Sequence, residues 1–246
     1  MKKLLLVLPL LALGACEGSI ANAVSKAGHS SFKGGTEIGT SDSDPGEFDG
    51  LSLLGPDNVV FTTGSDFSIR AEGDSDAIEE LRYKITDGQL KIGRESEGRI
   101  WNGKDDAAVV YVSAPSLKNA KLAGSGDMKV DKMSGESAKL SVAGSGSINI
   151  EKMTAESLST KIAGSGNLKV AGNVESASIS VAGSGNLKGK KLNADKVTVK
   201  VAGSGNVALS SDGSVEAKVL GSGNVRIHGD AKCESKAMGS GKVNCG

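Results

Sequence analysis

Aromatic side chains are scarce in this 246-residue chain: one Trp, two Tyr and four Phe. None follows Tyr111, so the C-terminal half offers no ring on which a base or sugar can stack. Proline occurs four times and the 35 glycines follow no three-residue period, which excludes collagen. Histidine occurs twice: His29 lies in a polar stretch, and His228 stands before a Gly229-Asp230 turn with no nucleophile beside it. A Ser/His/Asp system therefore has no support. Of the three cysteines Cys16 sits at the N-terminal end of the chain, and Cys233 and Cys245 with His228 fall short of the set of about four ligands a zinc site needs. Gly-Ser-Gly-Asn lacks the lysine and hydroxyl of a phosphate-binding loop, and no strand–helix unit follows to make a dinucleotide site. At 38% hydrophobic residues the chain is not wholly disordered.

The N-terminus reads as an export signal. Lys2 and Lys3 precede an apolar run from Leu4 to Leu13, and Leu13-Gly14-Ala15-Cys16 supplies a small-residue cleavage site. The run is too short to span a bilayer. Two cuts compete: a lipobox cut that leaves Cys16 lipidated, and an ordinary cut after Ala21-Asn22-Ala23. Both predict an exported protein, in the periplasm, the outer membrane or at the surface of a Gram-negative-type bacterium. Residues 17–47, rich in Gly, Ser and Asp, read as a flexible tether.

From residue 116 onward the chain repeats. Gly-Ser-Gly begins at Gly124, Gly144, Gly164, Gly183, Gly203, Gly221 and Gly239, a period of 18–20 residues. Around each triplet apolar residues alternate with polar ones. Val199, Val201, Gly203, Gly205, Val207 and Leu209 share one parity, as do Leu140, Val142, Gly144, Gly146, Ile148 and Ile150. A period of two means extended strand. Units this short bury an apolar face only by stacking, which predicts an all-β parallel β-helix with a rise of roughly 4.8 Å per coil. The glycines then sit at a corner with no room for Cβ.

Residues 48–115 differ, with strands expected at Asn58–Thr63, Phe67–Glu72, Leu81–Thr86, Gln89–Gly93 and Ala107–Ser113. They form the expected N-terminal cap of the 48–246 domain, with 116–246 as its coils. At the far end Cys233 and Cys245 lie six residues either side of Gly239, both on the inward parity. In an oxidising compartment that pair predicts a disulfide stapling the last coil.

Residues 48–246 resemble the head GIN domain family of auto-transporter adhesins, first catalogued as a domain of unknown function. The resemblance is carried by Phe48 with Asn58-Val59-Val60-Phe61, then Phe67-Ser68-Ile69-Arg70-Ala71 and Asp87-Gly88-Gln89-Leu90-Lys91-Ile92. Val110-Tyr111-Val112-Ser113-Ala114-Pro115-Ser116-Leu117 and the serial Gly-Ser-Gly turns follow, including Gly221-Ser222-Gly223-Asn224-Val225 with His228-Gly229-Asp230. It implies an exported bacterial β-solenoid with an adhesin-like role and supplies no catalytic residues. The cysteine pair is a departure that need not be typical of the family.

Outward positions form rows. Three residues after the first Gly of each triplet stand Asp127, Ser147, Asn167, Asn186, Asn206, Asn224 and Lys242. The four Asn rungs suit amide-to-amide bonding along the rod, as turn architecture or as a polar groove for a sugar or ion. Three residues before the triplets lie Lys121, Lys161, Lys200, Lys218 and Lys236; five after lie Lys129, Lys169, Lys188 and Arg226. Residues 116–246 hold 18 Lys/Arg against 11 Asp/Glu, whereas 17–115 hold 9 against 18. A basic rod is thus joined to an acidic cap, although exposed lysines also serve simply to keep sheet edges unpaired.

These features point to a non-enzymatic envelope-binding or adhesion module without cofactor or metal. Its expected contacts are Lys121, Lys161, Lys200, Lys218 and Lys236, then Asn167, Asn186, Asn206 and Asn224, offered to anionic or hydroxyl-rich polysaccharide. The alternative is a structural or protein-interaction component of the envelope. Nucleic acid is excluded as a partner by compartment and by the missing rings. Glu136 and Glu156, at one repeat position, are the one carboxylate pair for a polysaccharide-acting enzyme.

Overall fold

A computed structural model describes residues 32–95 and 107–246. The expected signal segment, Cys16 and the start of the expected tether lie outside the described residues.

The repeat winds as a parallel β-helix. Strands β8 (Asn119–Gly124), β9 (Asp127–Gly144), β10 (Ser147–Gly164), β11 (Asn167–Gly183) and β12 (Asn186–Gly203) each pair in parallel with the next. β13 (Asn206–Ser210), β14 (Ser214–Gly221), β15 (Asn224–His228), β16 (Lys232–Met238) and β17 (Lys242–Cys245) continue the ladders. The register equals the sequence repeat, with Gly124, Gly144, Gly164, Gly183, Gly203 and Gly221 stacked in order. One side of each coil follows the triplet and another leads into the next triplet, with a short joining segment between. Inside, Met128, Ile148, Leu168, Leu187, Val207 and Val225 form one buried column, each at most 1% exposed.

The triplet corner explains its own composition. Each first glycine has a positive φ, +119° at Gly144 and +115° at Gly183, which disfavours any residue with a Cβ. The second has a different constraint: a Cβ on Gly185 would meet the carbonyl oxygen of Gly166 and Cγ2 of Ile162. Backbone lies directly on backbone there. Behind the corner, the N–H groups of Ser184 and Gly185 both donate to the carbonyl of Gly164 at 2.9 Å.

The five strands expected before residue 116 are all present, at Asn58–Thr63 (β3), Ser68–Glu72 (β4), Leu81–Thr86 (β5), Gln89–Arg94 (β6) and Val109–Ala114 (β7). Three further elements have no counterpart in the sequence pattern: β1 (Thr36–Glu37), β2 (Gly50–Gly55) and helix α1 (Ser75–Glu80). The helix is held at its start by Asp74, whose carboxylate accepts from the N–H groups of Asp76 and Ala77. The cap is itself partly solenoid. β2 pairs in parallel with both β6 and β8, and β3 with both β7 and β9. The earliest coil in sequence is therefore sandwiched between two later ones. Antiparallel β4 and β5 then cover the outer edges of β7 and β6, which is how the sheet is closed at this end.

The tether, expected to run to residue 47, gives way to packed chain by residue 32. Phe32 and Ile38 are buried at 6% and 2% exposure, and Thr36–Glu37 extend the sheet beyond β5. These two apolar side chains and the backbone pairing of the segment with β5 and Ile69 dock it. Arg94 and Asp57 form a buried two-pronged pair at 2.6 and 2.9 Å, and Asp57 also accepts from the N–H of Ala108 at 3.0 Å. The last coil carries the expected disulfide: Cys233 and Cys245, stacked on Val215 and Ile227, are joined with a Cα separation of 6.5 Å.

Two stability tests follow from the packing. Gly185→Ala forces a Cβ into the backbone of the preceding coil and is expected to cost about 2–3 kcal/mol in urea unfolding, whereas Gly39→Ala, in open space, changes it by less than about 0.5. Thr160 is 1% exposed in the lumen, and its hydroxyl has no hydrogen-bond partner. Thr160→Val is expected to stabilise the protein by about 1 kcal/mol in the same measurement.

Candidate functional site

The two predicted sets of contact residues lie on different sides of the rod, separated by the Gly-Ser-Gly corner. The asparagines stand on the side after the triplet, in register: Asn167, Asn186, Asn206, Asn224 and then Lys242. The lysines stand on the side before it, and their column is interrupted. Its order is Lys121, Ser141, Lys161, Ser180, Lys200, Lys218, Lys236. The intervening serines hold the first cations two rungs apart, roughly 9.6 Å, close to the screening length at physiological salt. Where lysines do stack directly, acids accompany them. Lys218 pairs with Glu216 at 2.6 Å, a hydrogen bond that raises the lysine pKa and lowers that of the glutamate, and Glu234 follows on the next rung.

The asparagine side is more distinctive. The side-chain amide of Asn186 donates from Nδ2 to Oδ1 of Asn167 at 3.1 Å, Asn206 to Asn186 at 2.9 Å, and Asn224 to Asn206 at 3.0 Å. The backbone N–H groups of Asn206 and Asn224 donate to the same oxygens, each at 3.2 Å. The pattern extends toward the cap, where Asn58 Oδ1 accepts from the N–H of Asp127, whose carboxylate accepts from that of Ser147. The ladder is thus turn architecture, and it is also polarised. Oδ1 of Asn186 and of Asn206 each accept two bonds, which fills both lone pairs, while the Nδ2 groups of Asn186, Asn206 and Asn224 each use one of their two N–H groups along the rod. What remains for a ligand is a row of donors.

Beside it, two residues along each strand, runs the column Lys129, Asn149, Lys169, Lys188, Ala208, Arg226, Asn244. Lys129 is paired with Glu151 at 3.0 Å. From Asn167 to Asn244 neither column contains a carboxylate. A shallow groove of about 560 Å³ lies over these coils, lined by Asn186, Lys188, Asn206, Ala208, Arg226 and Lys242 among others. Ala208, with its small side chain between Lys188 and Arg226, forms the floor of this notch. In the sequence the Lys169–Lys188–Arg226 row stands out no more than the Lys121–Lys236 row. Its two-residue spacing from the asparagines puts it on their side, and the register shows that the expected contact lysines lie on the other. At the cap end of the column Tyr111 is covered by Arg70, whose guanidinium lies 4.2 Å from the ring centre.

Glu136 and Glu156 are part of a longer series. The pairings on either side of them put Glu136, Glu156, Glu175 and Asp195 at one exposed corner in successive coils. This exposed edge lies apart from the groove. Among the described residues no group of three or more His, Cys, Asp or Glu is placed to hold a metal, and no helix is long and apolar enough to cross a membrane.

A β-solenoid carrying a flat, donor-rich basic side is the class this geometry defines. The chain belongs to the family described as "Putative auto-transporter adhesin, head GIN domain", whose model matches residues 47–231. Comparison with curated proteins finds no match. Among solved structures, a putative adhesin from Bacteroides fragilis is similar with a TM-score of 0.74 at 18% identity, covering 83% of this chain and 94% of its own. A putative lipid binding protein from Parabacteroides distasonis gives 0.65 at 23% identity, covering 84% and 95%. A putative adhesin from Parabacteroides merdae gives 0.64 at 19%, covering 85% and 95%. At these identities the likeness is one of fold.

Asn206→Ala removes the acceptor of two bonds from Asn224 and the donor of one to Asn186. We expect a loss of about 1 kcal/mol in unfolding and faster hydrogen exchange at the Asn224 amide than in the unaltered protein.

Proposed function

We propose that this protein is a non-enzymatic adhesion module of the bacterial envelope, exported and anchored by a lipid on Cys16, whose asparagine side grips an anionic, hydroxyl-rich polysaccharide. The observation that carries this reading is the polarised ladder: amide donors from Asn186, Asn206 and Asn224 beside Lys188, Arg226 and Lys242, with no carboxylate on these two columns from Asn167 onward. Such a surface selects ligands that accept hydrogen bonds and carry negative charge. Because contacts recur at each coil, a polymer with its own repeat gains avidity from several weak contacts at once. The family's description and the adhesins among the solved structures agree with this role.

The Lys121–Lys236 row is the second surface. Its serine spacing and the Glu216 pairing of Lys218 suit a solvated, edge-protecting side, which favours the alternative of an envelope interaction protein for that face.

Binding of the mature protein to bacterial-envelope and host glycan arrays, at low and high salt, tests the reading. We expect salt-sensitive binding to acidic glycans that falls at least about tenfold in Lys188→Ser/Arg226→Ser and is unchanged in Lys161→Ser/Lys200→Ser. Silence at both salt concentrations, together with a single co-purifying envelope protein, would establish the alternative.

A further inference from the structure

Among the described residues the sheet has an open edge at β16. All seven residues of β16 are exposed, and its one strand partner among the described residues is β14. Val215, Ala217 and Val219 are buried at 3%, 0% and 2%, yet Cys233, Ser235 and Ala237, which stack on them, are exposed. The two large hydrophobic side chains exposed among the described residues, Leu220 and Met238, are neighbours at this same end.

We propose that this edge docks a second copy of the chain, by antiparallel pairing of β16 with its mate about a two-fold axis at Ser235. The backbone supplies the first argument. The N–H of Lys232 donates to the carbonyl of Gly213 at 2.8 Å, so the even-numbered residues of β16 turn their backbone groups toward β14. By alternation, Cys233, Ser235 and Ala237 turn theirs to the open edge. Opposed residues with free groups exchange two hydrogen bonds in an antiparallel pair. Centring on Ser235 opposes Cys233 with Ala237 of the second copy, Ser235 with itself, and Ala237 with Cys233, so all three free residues pair. Moving the centre to Glu234 or Lys236 keeps only two such pairs.

Charge supplies the second argument, and it selects the same register. Centring on Ser235 opposes Glu234 with Lys236 of the second copy, twice. A centre at Glu234 sets that carboxylate against itself and Lys232 against Lys236; a centre at Lys236 sets two ammonium groups together. Like charges directly opposed destabilise a strand pair. In the selected register the inward faces of both strands also point the same way, so the two lumens join. The Cys233–Cys245 disulfide ties β16 to β17 and holds the edge in shape. A two-fold contact closes on itself, which gives dimers and not fibres.

Sedimentation of the purified protein over a concentration series tests this. We expect a reversible dimer that Lys236→Glu weakens at least about tenfold, by opposing Glu234 with a second carboxylate. The exchanged pair Glu234→Lys/Lys236→Glu is expected to restore it, and the same thermal melting point in all three proteins at a concentration where each is monomeric shows that the fold is intact. A monomer at every concentration, or a dimer that Lys236→Glu leaves unchanged, overturns the proposal.

Discussion

The contact of one coil's corner backbone with the corner backbone of the coil before it governs this molecule. At each triplet the chain turns by a left-handed glycine, passes a serine, and lays a second glycine against the preceding carbonyl. No other residue type satisfies both conditions. Because that contact recurs at every coil, it sets the register of the whole stack. Apolar columns inside and polar columns outside follow from register alone, without long-range design at each position. The coils vary between 18 and 20 residues because the slack is taken up away from the corner, for example where the pairing shifts between Ile150 and Met153.

The same constraint explains what is readable from sequence. Alternation around Gly203 and Gly144 reveals the strand period, and the recurring triplet reveals the stacking, so the coil register can be counted from the residues alone. The cysteines are legible for the same reason, since Val215 and Ile227 mark their places one coil earlier. The sandwiching of β2 and β3 between later strands is not legible. No repeat marks residues 48–115, and the pairing partners of Leu51 and Leu53 lie in two separate segments, at Leu90 and Ile92 and at Ala120 and Leu122. The docking of residues 32–47 buries Phe32 and Ile38, two apolar side chains that no local pattern distinguishes from chance, and adds backbone pairing to β5 and Ile69.

Site residues are legible as columns but not as faces. Counting from the triplet places Lys200 and Asn206 only six residues apart, which reads as proximity. The corner between them turns the chain, so the two side chains look out from different sides. Lys188 and Asn206, eighteen residues apart, line the same groove. Charge count alone cannot rank the two lysine rows either. The difference lies in their neighbours: Glu216 and Glu234 share the side of Lys218, while the two columns of the asparagine side carry no acid from Asn167 onward.

Stability and recognition are coupled on the asparagine side by the direction of its hydrogen bonds. Oδ1 of Asn186 and of Asn206 is used to hold the next coil, so these amides have little acceptor capacity left and face solvent as donors. A row of free asparagines would present donors and acceptors alike and would discriminate poorly between ligands. Locked in the ladder, they select acceptors, and the cations beside them select negative charge among those. The rigidity of the stack adds to this, because the donors are ordered before any ligand arrives and little further conformational entropy is lost on binding. The feature that explains the bend therefore also defines the chemistry of the surface: the lone pairs the fold uses are the ones a ligand no longer meets.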